Sequence, residues 1–585
     1  MFRDWKRDAL LIVLFGLAYL AATLLISDSY YLLIATLIPI WALLALSWNI
    51  LGGYMGFVSF GHAAFFGLGA YAVAMAEHHF GISPWFTIPG TAVLGAVAGV
   101  LIGYPTFRLQ GHYFALAMLA YPLALLYIFE WMGYQEISIP MRREAPLAHM
   151  QFSDPRGYCV IAVALMLGAM LVSLVIERSR FGLALFAIRQ DVRAAEAAGF
   201  DTRRWKMRAM AVSGMIAAVA GGLYVVIILV ITPPSVFGLI TSAQALILTL
   251  FGGAGTFWGP VIGAMTLVPA VELLHTHLGE ILPGIQGVVL GLAIVAITLA
   301  APGGIYWWAR GRLGIRSTPL TLPAAVPAMP VGSGVATDSA APILRVRGIS
   351  KAFGGVHALR DADFDVLPNS ILGIIGPNGA GKTTLFDVLN GFTKPDSGTV
   401  EYAGTVITGL RTNRIAAMGI GRTFQVARVF PEMTVAENVL TGAWSGATDV
   451  NEALARTVNA LAFVNLTERA GAEAGALTNR EVRLLEIARA LAGRPRLLLL
   501  DETLAGLSRD DVTDVIAVVR RLPGAGITVV LIEHTMHAML QTADRLLVLD
   551  HGKVLTTGLP NEVVKDPAVI EAYLGHKWMA RHAEG

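Results

Sequence analysis

The 585-residue sequence predicts a polytopic α-helical membrane domain of about ten spans, followed by an α/β domain of the P-loop type. Apolar residues make up 55% of the chain and charged residues only 14%, against roughly 25% in an average soluble protein. Long apolar runs fill residues 1–314, whereas short β-like runs alternate with helical segments in residues 343–585. This composition excludes a disordered chain, and a single cysteine, Cys159, excludes a disulfide scaffold.

Ten apolar runs in the first part are predicted membrane spans. Most of them reach the roughly 20 residues that cross about 30 Å of hydrocarbon. The predicted spans are 9–27, 32–51, 56–76, 86–104, 113–133, 158–176, 207–231, 242–255, 257–274 and 284–301. The eighth and ninth are short and interrupted by glycine. The first is interpreted as a retained helix and not as a signal peptide, because more spans follow it.

Clusters of Lys and Arg orient these spans. They precede the first span, occupy residues 177–208 and follow the last span. All three clusters fall on one side if six spans precede the middle loop and four follow it. Since segments rich in Lys and Arg favour the cytoplasmic face, we expect that side to be the cytoplasm. Arg142 and Arg143 violate this pattern locally.

Two glycine-rich stretches, residues 52–62 and 251–263, interrupt the helical pattern. Broken backbone at membrane depth is tolerated where it lies beside a cavity, so both stretches are candidates for a solute pathway. The alternative is close helix packing through small residues. The polar residues within the spans are further candidates for the pathway: Asn49, Ser59, His62, Glu130, Gln244, Glu272 and Gln286.

Residues 315–342 form the predicted linker, since they are rich in Pro, Ala, Ser and Gly and have no apolar period. A phosphate-binding loop follows a predicted strand at 371–375 and leads into a helix. Backbone N–H groups of this loop are expected to close on the phosphates of ATP, Lys382 to neutralise the β- and γ-phosphates, and Thr383 to coordinate Mg²⁺. Taken alone, the loop could be a glycine-rich turn. Its residues are Gly376, Pro377, Asn378, Gly379, Ala380, Gly381, Lys382, Thr383 and Thr384.

Two further apolar strands end in polar residues. The run 497–500 is followed by Asp501 and Glu502, and the run 529–532 by Glu533 and His534. A buried parallel strand is expected to deliver Asp501 towards the metal, while Glu502 can polarise the attacking water. His534 is the candidate sensor of the γ-phosphate. Together with the loop, these strands predict an ATP site.

These residues resemble an ABC transporter. Five motifs occur in the order that is typical of this family. They are the phosphate loop, Gly-Arg-Thr-Phe-Gln at 421–425, Leu-Glu-Ile-Ala-Arg at 485–489, Asp501-Glu502 and His534. Gln425 matches the Q-loop, which implies that it binds Mg²⁺ and links the metal to the membrane domain. Phe353 matches the aromatic residue that stacks on adenine, the alternative being a core strand residue.

Further segments resemble the high-affinity branched-chain amino acid importers. The C-terminal segment 566–575 resembles their ATPases, and segments 59–71, 108–117 and 187–199 resemble their permease, the last being the coupling segment. The resemblance implies a permease fused to its ATPase, with hydrolysis coupled to transport. It also implies a second permease, a second ATPase, a periplasmic binding protein and a bacterial inner membrane with the ATPase on its cytoplasmic side. Membrane lipid is an expected partner and nucleic acid is not.

The resemblance leaves the solute open among leucine-like amino acids, urea, amides and carboxylates. A membrane-anchored ABC ATPase with a regulatory or export role is the alternative function. The signature loop departs from the family pattern Leu-Ser-Gly/Tyr-Gly-Gln, since this chain has Leu477-Thr478-Asn479-Arg480-Glu481. Thr503 replaces the usual proline and Ser508 the usual D-loop residue. We therefore expect a heterodimer with an ATPase whose signature is intact, the alternative being that both sites hydrolyse ATP.

Overall fold

The computed structural model describes residues 5–109, 111–142, 144–278, 285–314, 320, 322–323 and 341–574. The chain forms two compact units, Met1–Arg189 with Thr202–Thr318, and Gln190–Asp201 with Pro319–Gly585. Most of the predicted linker 315–342 lies outside the described residues, as do Arg143 and the last residue of segment 566–575. The domain boundaries at 314/315 and 342/343 stay a prediction.

The N-terminal part of the chain is helical, as its apolar runs predict. Its helices are α1 (Trp5–Leu24), α2 (Ser29–Asn49), α3 (His62–Phe80), α4 (Pro84–Thr106), α5 (His112–Trp131), α6 (Arg156–Glu177), α7 (Arg180–Gln190), α8 (Val192–Ala197), α9 (Thr202–Ile228), α10 (Pro233–Phe237), α11 (Leu239–Gly252), α12 (Gly259–Leu278), α13 (Ile285–Ala300) and α14 (Ile305–Arg312). Of these, α8 belongs to the second unit.

Each of the ten predicted spans contains a helix, and seven segments of the described chain are long and apolar enough to cross a membrane by length and composition. They are Trp5–Leu24, Ser29–Tyr54, Pro84–Thr106, His112–Trp131, Arg156–Glu177, Thr202–Ile228 and Pro233–Gly252. Among the others, α3 carries Glu77, His78 and His79 close to its C-terminal end, and α13 has only 16 residues. The helical class is therefore confirmed, while the count of ten stays a prediction.

The third span begins later than predicted. The sequence places its start at residue 56, whereas α3 begins at His62 and ends at Phe80. A π-helical turn at Ile50–Tyr54 follows α2, and the residues between it and α3 are not helical. Hydropathy includes residues 56–61 in the span, whereas their glycines, which are weak helix formers, interrupt the helical pattern.

Small residues and end contacts hold the first unit together. A Cβ on Gly95 of α4 would collide with the carbonyl of Gly214 of α9, so these helices approach at the distance that small residues allow. Asp8 near the start of α1 pairs with Arg178 at the end of α6. At the far ends of α5 and α9, the strands β1 (Ile137–Ser138) and β2 (Val230–Ile231) pair antiparallel.

The polar candidates within the spans differ in burial. Asn49, Ser59 and His62 are fully buried, whereas Glu130, Gln244 and Glu272 are partly buried. The side chain of Gln286 lies outside the described residues. Their contribution to a solute path stays a prediction.

The second unit is an α/β fold. Its strands are β3 (Leu344–Phe353), β4 (Val356–Val366), β5 (Ile371–Ile375), β6 (Ser397–Tyr402), β7 (Thr405–Val406), β8 (Ile420–Arg422), β9 (Leu497–Asp501), β10 (Thr528–Ile532), β11 (Arg545–Asp550) and β12 (Lys553–Gly558). Its further helices are α15 (Lys382–Leu389), α16 (Thr412–Ala417), α17 (Val435–Ala443), α18 (Val450–Phe463), α19 (Asn479–Ala492), α20 (Arg509–Arg521), α21 (Met536–Thr542), α22 (Pro560–Val563) and α23 (Pro567–Leu574).

Two sheets enclose the core of this unit. One has the order β12-β11-β5-β10-β9-β8, and the other is antiparallel with the order β4-β3-β6-β7. The pairs of β5 with β10 and β11, and of β9 with β8 and β10, are parallel. Strands β5, β9 and β10 are buried throughout, which explains their unbroken apolar runs. Their carboxyl ends meet at one edge of the sheet.

Candidate functional site

The predicted phosphate loop lies between β5 and α15, in the order strand, loop, helix. Lys382 is the first residue of α15, and its Nζ donates to the carbonyl oxygens of Gly376 (2.7 Å) and Pro377 (3.0 Å). Gly381 precedes it at φ +100°, a backbone conformation that favours glycine. No side chain caps this helix, so its first N–H groups are available to an anion. Burial lowers the pKa of Lys382, while the charges of Glu502 and Asp501 oppose that shift.

The predicted acids and the histidine come together at the same edge. Asp501 ends β9 opposite Ile532 of β10, so Glu502 and His534 follow on neighbouring strands. The Oε2 atom of Glu502 accepts a hydrogen bond from Nε2 of Gln425 at 2.9 Å, and its Oε1 atom pairs with Nε2 of His534. Glu502 has φ +46°, a strained conformation for a residue with a side chain. The sheet thus holds this carboxylate between an amide and an imidazole.

A buried arginine, whose function the sequence does not indicate, holds Asp501. Arg422 ends β8, and its Nη2 atom lies 3.3 Å from Oδ2 of Asp501, while its Nη1 atom lies 2.6 Å from Oδ1 of Asp387. Three phenylalanine rings surround the guanidinium, including that of Phe424 at 5.3 Å. Burial raises the pKa of Asp501, and the charge of Arg422 opposes that rise.

The second carboxylate oxygen of Asp501 is a candidate metal ligand. Oδ1 of Asp501 is buried and has no hydrogen-bond partner, although buried polar atoms are usually paired. A carboxylate, the Thr383 hydroxyl and the Gln425 amide oxygen are the type of ligand that Mg²⁺ prefers. The described residues contain no group of three or more His, Cys, Asp or Glu placed to hold a metal.

Phe353 lies at the end of β3 and is 52% exposed, which excludes the alternative of a core strand residue. Nζ of Lys351 lies 5.4 Å from the centre of its ring. An exposed ring at the end of a strand is available for stacking.

A charged face of α19 holds the Q-loop backbone. Arg483 donates to the carbonyl oxygen of Gln425 at 2.9 Å. Glu486 accepts from the N–H group of Arg428 at 2.9 Å, and Arg489 donates to the carbonyl oxygen of Arg428 at 2.6 Å. These three side chains are almost fully buried. The signal in the sequence is the occurrence of charges at steps of three among the apolar residues of the later turns of α19.

The coupling segment contacts this same loop within the second unit. Asp191 caps α8 by accepting from the N–H group of Ala194 at 2.8 Å, and it also pairs with Arg428, three residues after Gln425. The side chain of Gln190 accepts from the N–H group of Glu432 at 3.1 Å. The prediction that this segment docks on the ATPase near Gln425 is confirmed.

The altered signature residues form their own ion pairs. Thr478 caps α19 and shares a capping box with Glu481. Arg469 donates to Glu481 at 2.8 Å, and this contact lowers the pKa of Glu481 to about 2. Arg480 pairs with Asp514 and lies 3.7 Å from Asp511. The N-terminus of α19 therefore carries a carboxylate and a bulky side chain where the family pattern has glutamine and glycine.

Outside the signature, Thr503 and Ser508 also have local partners. The hydroxyl groups of Thr503 and Thr423 lie 3.3 Å apart, and both residues are buried. Ser508 caps α20 by accepting from the N–H group of Asp511 at 3.3 Å.

An array of apolar helices joined in one chain to a P-loop domain with a Q-loop and a docked coupling segment defines a membrane transporter driven by an ABC ATPase. Residues 30–335, more than half of the chain, match the family described as the permease component of the branched-chain amino acid transport system. The chain belongs to this family. Residues 359–505 match the ABC transporter family, and residues 553–578 match the branched-chain amino acid ATP-binding cassette transporter family.

Two bacterial relatives match the ATPase part of the chain. The high-affinity branched-chain amino acid transport ATP-binding protein BraF of Pseudomonas aeruginosa is 39% identical over 250 residues, which cover 40% of this chain and 98% of the relative. LivG of Escherichia coli K12, a protein with the same description, is 38% identical with the same coverage. A nucleotide-free ATP-binding cassette from an ABC transporter is 33% identical, covers 40% of this chain and 100% of its own, and has a TM-score of 0.38.

The chain therefore fuses a permease to an ATPase that binds nucleotide and couples its hydrolysis to transport. It is a membrane protein with a membrane-associated ATPase. Transporters of this family operate with a partner permease and a binding protein.

Proposed function

We propose that this chain is one half of an ATP-driven importer in the bacterial inner membrane, with its ATPase in the cytoplasm. Its solute would be a branched-chain amino acid or a related small polar molecule, delivered by a periplasmic binding protein. The observation that carries this proposal is the match of residues 30–335 to the permease family, in one chain with a complete set of nucleotide-site residues. The descriptions of BraF and LivG support the choice of solute.

The nucleotide chemistry is proposed from the positions of the side chains. The loop 376–384 and the N-terminus of α15 bind phosphate oxygens through N–H groups, and Lys382 turns from the loop carbonyls to the β- and γ-phosphates. Thr383, Gln425 and the unpaired oxygen of Asp501 would hold Mg²⁺, which supplies charge neutralisation when bound.

Glu502 then orients the attacking water and polarises it. His534 contacts the γ-phosphate and keeps Glu502 in place through their hydrogen bond. Catalysis of this kind is positioning and charge stabilisation, which rigid neighbours such as Gln425 favour.

Uptake by the reconstituted transporter tests the import function. The chain, its partner subunits and the binding protein are placed in proteoliposomes with ATP on the ATPase side, and uptake of labelled leucine is measured. We expect uptake that requires both ATP and the binding protein and is absent in Lys382→Ala. Release of solute to the opposite side would support the export alternative. ATP hydrolysis that no binding protein stimulates, with no movement of any candidate solute, would support the regulatory alternative.

We also infer that the second ATPase is a different chain with an intact signature. Head-to-tail ABC dimers build each site from one chain's phosphate loop and the other chain's signature loop. In this chain the residues for its own site are present, whereas the signature it lends carries Arg480, bound to Asp514, and Glu481, bound to Arg469. A carboxylate at that helix N-terminus opposes a second anion. A homodimer would place this defect in both sites.

Removing the two catalytic lysines separately tests this asymmetry. Lys382→Ala should nearly abolish hydrolysis, whereas the same change in the partner should leave most of it, with nucleotide occupancy and dimer closure unaffected. Equal losses from the two changes would contradict the asymmetric arrangement and support two hydrolytic sites.

A further inference from the structure

The two glycine-rich breaks of the permease unit meet in the fold. The first follows α2, with the π-helical turn Ile50–Tyr54 and a non-helical stretch before α3. The second lies between Gly252, the last residue of α11, and Gly259, the first of α12. A Cβ on Gly53 would stand 2.6 Å from the backbone nitrogen of Gly255, so the two backbones approach at a distance that a side chain would prevent.

A buried amide joins the two breaks. Asn49, the last residue of α2, donates from Nδ2 to the carbonyl oxygen of Thr256 at 3.0 Å and accepts at Oδ1 from the N–H group of Gly255 at 2.8 Å. Its side chain is fully buried. Both polar groups of this amide therefore hold the second break against the start of the first.

A carboxylate oxygen makes a second bridge between the breaks. Oε1 of Glu177, at the end of α6, accepts from the hydroxyl group of Tyr54 at 2.8 Å and from the N–H group of Phe257 at 2.8 Å. Tyr54 belongs to the first break and Phe257 to the second. Glu177 is the first residue of the basic loop 177–208, so this junction lies at the start of that loop.

Arg189 makes the third contact, and it lies next to the coupling segment. Its Nη1 atom donates to the carbonyl oxygen of Gly53 at 3.0 Å. The following two residues, Gln190 and Asp191, contact the ATPase part of the second unit through Glu432 and Arg428. Only Gln190 separates Arg189 from Asp191, so one short backbone segment connects the pair with Arg428 to the hydrogen bond that holds Gly53.

We propose that the two breaks form the cytoplasmic closure of the solute path and that Arg189 is the positioning residue through which the coupling segment moves it. This proposal rests on the proposed import function. Asn49 and Glu177 hold the closed arrangement, and Arg189 binds Gly53 in one state and releases it in the other. Broken backbone held by a few discrete hydrogen bonds can switch between two arrangements where a continuous helix cannot.

Thiol labelling of the junction tests the closure directly. The background is Cys159→Ser in the complete transporter, with Ala254→Cys in the second break as the reporter. A membrane-impermeant maleimide is applied to inside-out vesicles. Arg189→Ala should speed labelling about tenfold, the effect of losing a hydrogen bond to a charged group. Arg189→Lys should restore part of the slow rate.

Arg156 provides a matched control. Its Nη2 atom donates to the carbonyl oxygen of Ile26 at 3.0 Å, a contact of the same type at the start of α6, the opposite end from Glu177. Arg156→Ala should therefore leave the labelling of Ala254→Cys unchanged. Equal labelling in the Arg189→Ala and Arg156→Ala variants would overturn the proposal and leave the breaks as static packing.

Variants of Glu177 show whether its two hydrogen bonds or its charge hold the junction closed. Both of its contacts are accepted by one oxygen, so Glu177→Gln can keep them, whereas Glu177→Ala cannot. We expect slow, wild-type labelling in Glu177→Gln and fast labelling in Glu177→Ala. Fast labelling in both variants would show that the charge of Glu177, and not its two hydrogen bonds, closes the junction. That result would contradict the proposed closure by hydrogen bonds.

The ratio of ATPase rates with and without the binding protein tests the function of Arg189 in coupling. Arg189→Ala should bring this ratio towards one, while Arg156→Ala should preserve it. A wild-type ratio in Arg189→Ala would refute the coupling function even if labelling is fast. If the wild-type transporter itself shows no stimulation, the import function fails, and the labelling rates still decide whether the junction is a closure.

Discussion

The contact between Asp191 and Arg428 should carry part of the coupling between transport and hydrolysis. Arg428 is fixed on three sides, because Glu486 binds its N–H group, Arg489 binds its carbonyl oxygen and Asp191 binds its side chain. The same loop presents Gln425 to Glu502. We therefore predict that movement of the coupling segment reaches Glu502 through Arg428, and neutralising either member of the pair should weaken that link.

The exposure of the pair sets the size of the effect. The two side chains are 34% and 20% exposed, so water screens part of their attraction. Partly exposed pairs contribute about 0.2–1 kcal/mol, and the fixed backbone of Arg428 favours the upper end, since less entropy is lost on pairing. A coupling energy of about 1 kcal/mol corresponds to a roughly fivefold change.

A double-mutant cycle measures this energy. The readout is the ATPase rate of the full transporter with the binding protein, divided by the rate without it. Asp191→Asn removes the charge but keeps the cap of α8, because Asn caps helices as well as Asp does. Asp191→Asn and Arg428→Met should each lower the ratio about fivefold, and the double variant should be no worse than either.

An ion pair of the antiparallel sheet in the same unit serves as the control. Arg345 of β3 and Glu401 of β6 pair at 3.2 Å, and Glu401→Ala should leave the stimulation ratio unchanged. If the losses from Asp191→Asn and Arg428→Met multiply in the double variant, the two side chains act independently and the proposed transmission through their contact is wrong.

Three further predictions concern the nucleotide site. Glu502→Gln should retain ATP binding and nearly stop turnover in single-turnover and steady-state assays; near-normal hydrolysis would move catalysis elsewhere. Because Arg422 holds one oxygen of Asp501, Arg422→Gln should raise the Mg²⁺ concentration needed for half-maximal ATPase activity more than it lowers the maximal rate. Arg422→Lys should rescue part of this loss. An equal effect on the Mg²⁺ requirement and on the maximal rate would indicate a purely structural contribution. Burial raises the pKa of Glu533 from 4.5 to about 7, so the folded state favours its protonated form. Stability should therefore fall as the pH rises from about 4.5 to about 7, by at most about 3 kcal/mol, and level off above. In Glu533→Gln, thermal unfolding should lose this share of the pH dependence; an unchanged profile would exclude Glu533 as its source.

Local sequence patterns were sufficient to predict most of the nucleotide site. Glycine spacing and the unbroken apolar strands identify the loop before Lys382 and the ends at Asp501 and His534, because each pattern depends on adjacent residues. The contacts of Arg422 were not predictable in this way. Its partner Asp501 lies 79 residues away in the chain, and only the strand order β9-β8 brings them together.

In the permease, too, contacts between residues that are distant in the chain cannot be predicted from local sequence patterns. The sequence identifies both glycine-rich breaks, but hydropathy assigns the first of them to a helix that begins only at His62. Asn49 and Gly255, which join the breaks, are separated by 206 residues. Helix packing decides that contact, and no local pattern reports it.

Helix α19 contains both the altered signature residues and the charged residues that hold the Q-loop. Its first turn holds the altered signature, with Arg480 and Glu481 committed to ion pairs on the same chain. Its later turns hold the Q-loop through Glu486 and Arg489, both almost fully buried. The side chain of Arg480 is 40% exposed, and a change at such a position costs little stability, whereas loss of one buried charged partner leaves the other unpaired at a large cost. Position 480 can therefore vary without disturbing the link from the coupling segment to Gln425. This separation explains how the chain can carry an altered signature and still keep the contacts between α19 and the Q-loop.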